Sequence, residues 1–180
     1  MNTYIFAEES NTTIDNPEVP VREYYNGLFG MIRGLYSELD DYSEVHLHVL
    51  SEEYGVVDGD EQLAKIREQK TTPVGSNKMI ETAKDELLHA ATNADVLVIL
   101  LSTDVFRETV TEQWDELVDR AKPDSVWCLG AARSVLDKIN FDGLETKGCS
   151  LLIYRRVGVA RLGSKTREEL LTSVKEKDTE

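Results

Sequence analysis

Short apolar runs alternate with longer amphipathic segments along this chain, and that alternation predicts its elements. Thr3 to Glu8 reads as a first strand. Ser10 to Pro20 is polar and interrupted by Asn16-Pro17 and Pro20, which predicts a loop. Val21 to Leu39 then carries Tyr24, Leu28, Ile32, Leu35 and Leu39 at three-to-four spacing, a helix with one apolar face. Gly27, Gly30 and Gly34 fall inside it. Each costs about 1 kcal/mol relative to alanine in a helix interior, so the pattern predicts close packing on a sheet or a local break.

Glu44 to Ser51 is a second strand, Asp58-Gly59-Asp60 a turn, and Glu61 to Gln69 a short helix. Thr71 to Ser76 is a loop, and Asn77 to Thr92 a helix with Ile80, Ala83, Leu87 and Ala91 on one side. Asp95 to Ser102 is a continuous apolar run, which fits a central strand covered on both faces. Thr103 caps the next helix, whose buried face is Phe106, Val110, Trp114, Leu117 and Val118. Ser125 to Leu129 is a fourth strand, followed by Gly130 and a helix from Ala131 to Ile139. Cys149 to Tyr154 is a fifth strand and Thr166 to Lys175 a last helix. The expected fold is α/β: a three-layer sandwich with a mostly parallel central sheet of about five strands. It forms one domain over residues 1–176, and residues 177–180 fray.

Ligands of such sheets collect outside the carboxyl ends of the strands, near a switch in strand order. That rule nominates Glu8-Glu9-Ser10-Asn11, Ser51 to Gly55, Ser102-Thr103-Asp104 and Gly130 to Arg133 as one rim. Glu8 and Glu9 point to opposite faces of a strand, so acid–base chemistry would need Glu8 joined by Glu52 or Asp58. Free amides at Gly130-Ala131-Ala132 could hold an anion with Arg133. Ser10, Ser51 and Ser102 lie in no G-x-S-x-G elbow. His46 and His48 share a strand face and His89 sits on a helix, with no metal-ligand spacing among them. No metal and no cofactor are expected. Trp114 and Trp127 are assigned to the core, and Cys128 and Cys149 read as buried thiols.

Composition changes the picture in one respect. The net charge is −14, with 34 acidic and 20 basic residues. The acids are dispersed, which fits a solvated surface in a high-salt host; a surface for a basic protein partner is the other reading. No apolar run could span a bilayer, and the N-terminal residues are not a secretory signal, so a cytoplasmic location without a membrane partner is expected. From Lys147 to Arg167 there is no acid, while Arg155, Arg156 and Arg161 are basic. They either neutralise acids packed beside them or face phosphate.

Two stretches resemble a family. Ser10 to Phe29 is similar to the entry of uncharacterised bacterial and archaeal proteins related to YaaA, where a strand ending in Ser-x-Ser-Lys leads through a Pro-containing loop into a Tyr-x-x-x-Phe helix start. Leu50 to Asp60 resembles that family's Leu-Ser-Ala-Lys-Tyr-Gly-Leu-Leu-x-Pro-Asp element. The resemblance implies that Tyr24, Phe29, Ser51, Tyr54 and Gly55 shape the site, and it brings a peroxide-stress and DNA-binding context. The two lysine positions hold Asn11 and Glu53 here.

Together these readings predict a protein that binds a nucleotide, nucleobase or nucleic acid at the rim, in a stress or modification context. Ser10, Asn11, Tyr24, Ser51, Tyr54, Gly55 and Asp58 would contact the ligand, with Tyr54 as a stacking surface. Arg133, Arg155, Arg156 and Arg161 would contact phosphate. Two alternatives stand beside this: a nucleoside glycosidic-bond hydrolase or transferase using Glu8, Glu52 or Asp58, and a non-catalytic interaction protein with a degenerate site.

Overall fold

The computed structural model describes residues 1–27, 29–156 and 162–179, with the side chain of Arg156 also outside the description. Six strands are present among the described residues: β1 (Asn2–Glu8), β2 (Glu44–Ser51), β3 (Gly55–Asp58), β4 (Val96–Leu100), β5 (Val126–Ala132) and β6 (Ser150–Arg156). They form one sheet in the order β3-β2-β1-β4-β5-β6. Every pairing is parallel except β2 with β3. The chain therefore winds outward from β1 in both directions, and strand order reverses between β1 and β4.

Helices cover both faces. α1 (Val21–Tyr24), α2 (Phe29–Asp40), α3 (Leu63–Gln69) and α9 (Ser164–Asp178) cover one; α4 (Ser76–Asn93), α5 (Thr103–Thr109), α6 (Trp114–Arg120), α7 (Arg133–Leu136) and α8 (Asp142–Thr146) cover the other. Alternation along the strands feeds the two cores. Ile5, Val49, Val98 and Cys128 meet Leu35, Ile66 and Leu170, while Phe6, Leu97, Trp127 and Leu129 meet Leu87, Phe106 and Trp114. β4 is buried along its whole length, as its unbroken apolar run requires.

The departures from the predicted elements have local causes. The long helix predicted over 21–39 is two helices, because Gly27 takes φ +63 and the chain turns there. Leu28, expected on its apolar face, lies outside the described residues. The sixth strand, β3, is only four residues between turn-forming neighbours, too short to alternate visibly. β5 runs on through Ala132, and the helix expected over 131–139 is the single turn α7. α9 reaches Asp178, where Lys177 Nζ donates to the Asp124 carbonyl at 2.9 Å, so two of the residues expected to fray are helical.

Candidate functional site at the carboxyl rim

The parallel strands end level with one another. Ala7 pairs with Val49 and Leu100, Leu100 with Gly130, and Gly130 with Tyr154. The tips of β1, β2, β4 and β5 thus share one edge of the sheet, as predicted. Direct bonds link them. Glu8 Oε1 accepts the Ser102 hydroxyl at 2.9 Å, and Glu8 Oε2 accepts the Ser102 backbone N–H at the start of α5. This bridge spans β1 and β4, the point where strand order reverses.

One residue further, Glu9 turns to the opposite face. Its Oε2 accepts the Tyr25 hydroxyl at 3.1 Å. Burial, and then the neighbouring Glu9 carboxylate, push the Tyr25 phenol far above its ordinary range, so it stays a donor. Ser10 and Thr12 come next. The Thr12 N–H meets Ser10 Oγ at 3.2 Å, and the Asn26 N–H bonds the Thr12 carbonyl at 2.8 Å. These bonds hold both hydroxyl residues against Gly27: a Cβ there would lie 3.6 Å from Thr12 Oγ1 and 3.9 Å from Ser10 Oγ. Asn11 is exposed between them.

The Ser51–Gly55 segment is not an open loop but the turn of the antiparallel β2–β3 hairpin. Ser51 is fully buried, and its hydroxyl accepts the Tyr54 N–H at 3.1 Å. Tyr54 is 4% exposed, so it offers no face for stacking; its hydroxyl accepts from Arg67 Nε at 2.9 Å. Tyr24 is half-buried, and its hydroxyl accepts from Arg67 Nη2 at 3.0 Å. Lys70 Nζ bonds the Tyr54 carbonyl. Arg67 and Lys70 were invisible as site residues in sequence. The available signal was two cations three residues apart, one near the end of a short helix and one just past it, in an acidic chain. Hydrogen bonding to Tyr54 raises the Arg67 pKa above its ordinary value.

Other predicted residues fall elsewhere. Asp58 pairs with His48, three residues back from the Ser51–Gly55 pair, and its carboxylate caps the Asp60 N–H at 2.8 Å. At strand rise that is roughly 10 Å below the turn. Glu52 is exposed. The Gly130–Ala132 amides are not a free cradle, since Ala131 and Ala132 remain paired with Arg155 and Arg156 of β6. Arg133 is exposed on the one-turn α7. Arg155 Nε donates to Asp137 at 3.0 Å, which spends its charge locally. Arg161 and the Arg156 side chain lie outside the described residues.

Neighbouring basic residues are similarly engaged. Arg167 pairs with Glu38, Lys165 with Glu169 at 3.9 Å, and Lys147 Nζ bonds the Asp119 and Ala121 carbonyls at 2.6 and 3.0 Å. Both cysteines are buried and free, and burial pushes the Cys128 thiol up to about 12. Among the described residues no His, Cys, Asp or Glu group is arranged to hold a metal, and no helix is long and apolar enough to cross a membrane. A polar groove of about 1170 Å³ runs between α4, α6 and the α7–α8 link, lined by Lys84, Glu112 and Trp114 among others; it contains none of the predicted site residues.

No family model matches this chain, and no curated protein does. Among solved structures, the flavodoxin of Streptococcus pneumonia TIGR4 is similar over 98% of this chain and 97% of its own, at 12% identity and a TM-score of 0.44. At that identity and score it carries no argument about function, and the α/β assignment rests on this chain's own strand pairing, a six-stranded, mostly parallel sheet between two helical layers.

Proposed function

We propose that this protein binds a nucleotide-type ligand at the carboxyl rim, with the ligand's sugar beside Glu8 and Ser102. The observation that carries this reading is a half-buried carboxylate fixed at the strand-order reversal by a hydroxyl and a backbone amide. A carboxylate held there repels phosphate but keeps lone pairs for ribose hydroxyls. The resemblance to YaaA-related proteins belongs to this reading and adds its stress or modification context.

A long nucleic acid is the less favoured ligand. Arg155, Lys165 and Arg167 each pair with a carboxylate, which leaves fewer free cations for a run of phosphates on a −14 chain. Titration calorimetry at low and high salt with nucleosides, nucleoside monophosphates and DNA and RNA oligonucleotides tests the reading. Mononucleosides or mononucleotides should bind and oligonucleotides should not. Glu8→Gln should weaken binding about tenfold, the scale of one charge-assisted hydrogen bond. A panel with no binding, or binding confined to oligonucleotides, refutes it.

The geometry of Glu8 also favours a second reading, a glycosidic-bond hydrolase or transferase in which Glu8 is the reacting carboxylate. Exposed Glu52 and the turn-capping Asp58 have no comparable position. Release of free base from a nucleoside panel, abolished by Glu8→Gln, is the expected result; release that survives the change eliminates Glu8.

A further inference from the structure

We propose that Arg67 and Lys70, three residues apart at the C-terminal end of α3, hold the phosphate monoester of a nucleotide whose sugar lies at Glu8 and Ser102. The inference rests on the nucleotide reading above and assigns residues and a ligand class to a part of the rim that reading leaves open.

The first argument is charge. Arg22, Arg107, Arg120, Arg155 and Arg167 each meet a carboxylate. Arg67 meets two neutral phenols instead, Tyr54 at 2.9 Å and Tyr24 at 3.0 Å, with its guanidinium carbon 5.6 Å from the Tyr24 ring centre. The phenols fix the plane of the fork through Nε and Nη2 and leave its charge uncompensated. The Nη1 hydrogens and one on Nη2 are uncommitted by these two bonds. Lys70 Nζ lies on the Tyr54 carbonyl, 3.6 Å from the place a Cβ on Gly55 would occupy. A planar fork beside a point charge suits a dianionic phosphate.

The second argument is position. Tyr54 and Gly55 form the tip of the β2–β3 hairpin, while Ser102 follows β4. From β2 to β4 is two strand spacings, roughly 10 Å along the edge. Arg67 lies on the α3 face and Ser102 at the start of α5 on the other, so the ligand would lie across the edge of the sheet between them. Glu8 disfavours phosphate at the β4 end, so the charged group belongs at the hairpin end. Glu52 and Glu53 flank that turn, but both are exposed, and it is their carbonyls that bond the Gly75 and Val74 amides.

The test is titration calorimetry on the full chain with four nucleosides, the corresponding monophosphates and inorganic phosphate. The wild-type protein should prefer monophosphate over nucleoside at least tenfold, and inorganic phosphate should compete with the monophosphate alone. Arg67→Gln and Lys70→Gln should each erase most of that preference without changing nucleoside affinity. Tyr24→Phe, which keeps the charge but frees the fork, should lose only part of it. A preference that survives both cation changes overturns the inference and leaves the nucleotide reading standing. Equal binding of nucleoside and monophosphate by the wild-type protein does the same. Wild-type protein that binds neither overturns both. Absence of phosphate competition overturns the inference without any variant, and Lys70→Gln reads the same site if Arg67→Gln does not fold.

Discussion

At Gly55 the backbone takes φ +86, a conformation that side-chain-bearing residues rarely adopt. Space is not the obstacle there: a Cβ would meet the Val74 methyls at 3.5 and 3.7 Å and Lys70 Nζ at 3.6 Å, ordinary contacts. Gly55→Ala should therefore cost about 1–2 kcal/mol through backbone strain alone, read by urea unfolding; an unchanged midpoint would show the turn relaxes freely. The residue scale is also where sequence and structure part most clearly. Ser51, Tyr54 and Gly55 were legible because they follow a predicted strand at the rim and fall in the stretch that resembles YaaA-related proteins. Their work, however, is to build the turn: the Ser51 hydroxyl caps an amide and Tyr54 anchors an arginine. A buried hydroxyl and an exposed one look identical in sequence. Arg67 escaped notice because its partners come from α1 and the hairpin tip, 43 and 13 residues away.

Element boundaries were readable wherever burial is two-sided or periodicity sustained. β2, β4, α4 and α9 all lie close to their predicted spans. The failures sit at glycines and very short elements, where a helical pattern continues through a break, as at Gly27. One packing of elements has a pH consequence. The chain's three histidines gather round Tyr4 between the sheet and α4, with His46 at 4.6 Å, His48 at 6.0 Å and His89 at 6.2 Å between ring centres, and Phe6 at 4.7 Å from His48. His48 Nε2 is buried without a partner. Burial lowers the His48 pKa, Glu86 of α4 and Asp58 of β3 oppose the shift, and His46 and His89 reinforce it. Because the folded value lies below the unfolded value near 6.5, neutral His48 contributes its full stability above about pH 6.5. That contribution is lost as pH falls from there towards the depressed folded value, by at most about 1.4 kcal/mol per pH unit for this proton. Urea unfolding between pH 8 and 5 should show the loss, and His48→Phe should flatten it. An equal slope in the variant would remove His48 as the cause.

For the whole molecule, the fold class was readable because alternating strand and helix patterns admit few topologies. The shared rim followed from the parallel sheet. What could not follow was which rim residues carry uncompensated charge, since pairs such as Arg155 with Asp137 and Arg167 with Glu38 join distant parts of the chain. The net charge itself has a thermodynamic signature. At −14 the folded chain repels itself, and salt screens that repulsion over distances that shrink to about 3 Å at 1 M. Raising salt from low ionic strength to 1 M should therefore raise Tm by several degrees in chloride, before any excluded-salt effect of sulfate. A Tm independent of chloride concentration would mean the acids are already neutralised by their neighbours.

The β2–β3 hairpin tip is tied on three sides: by the strands themselves, by Lys70 from α3, and by the amides of Val74 and Gly75 ahead of α4. A wall braced in this way is already in shape before anything arrives. The proposed capture of a small anion against it would require no ordering of the chain, so little affinity would be lost to conformational entropy and the free and occupied backbones should superimpose.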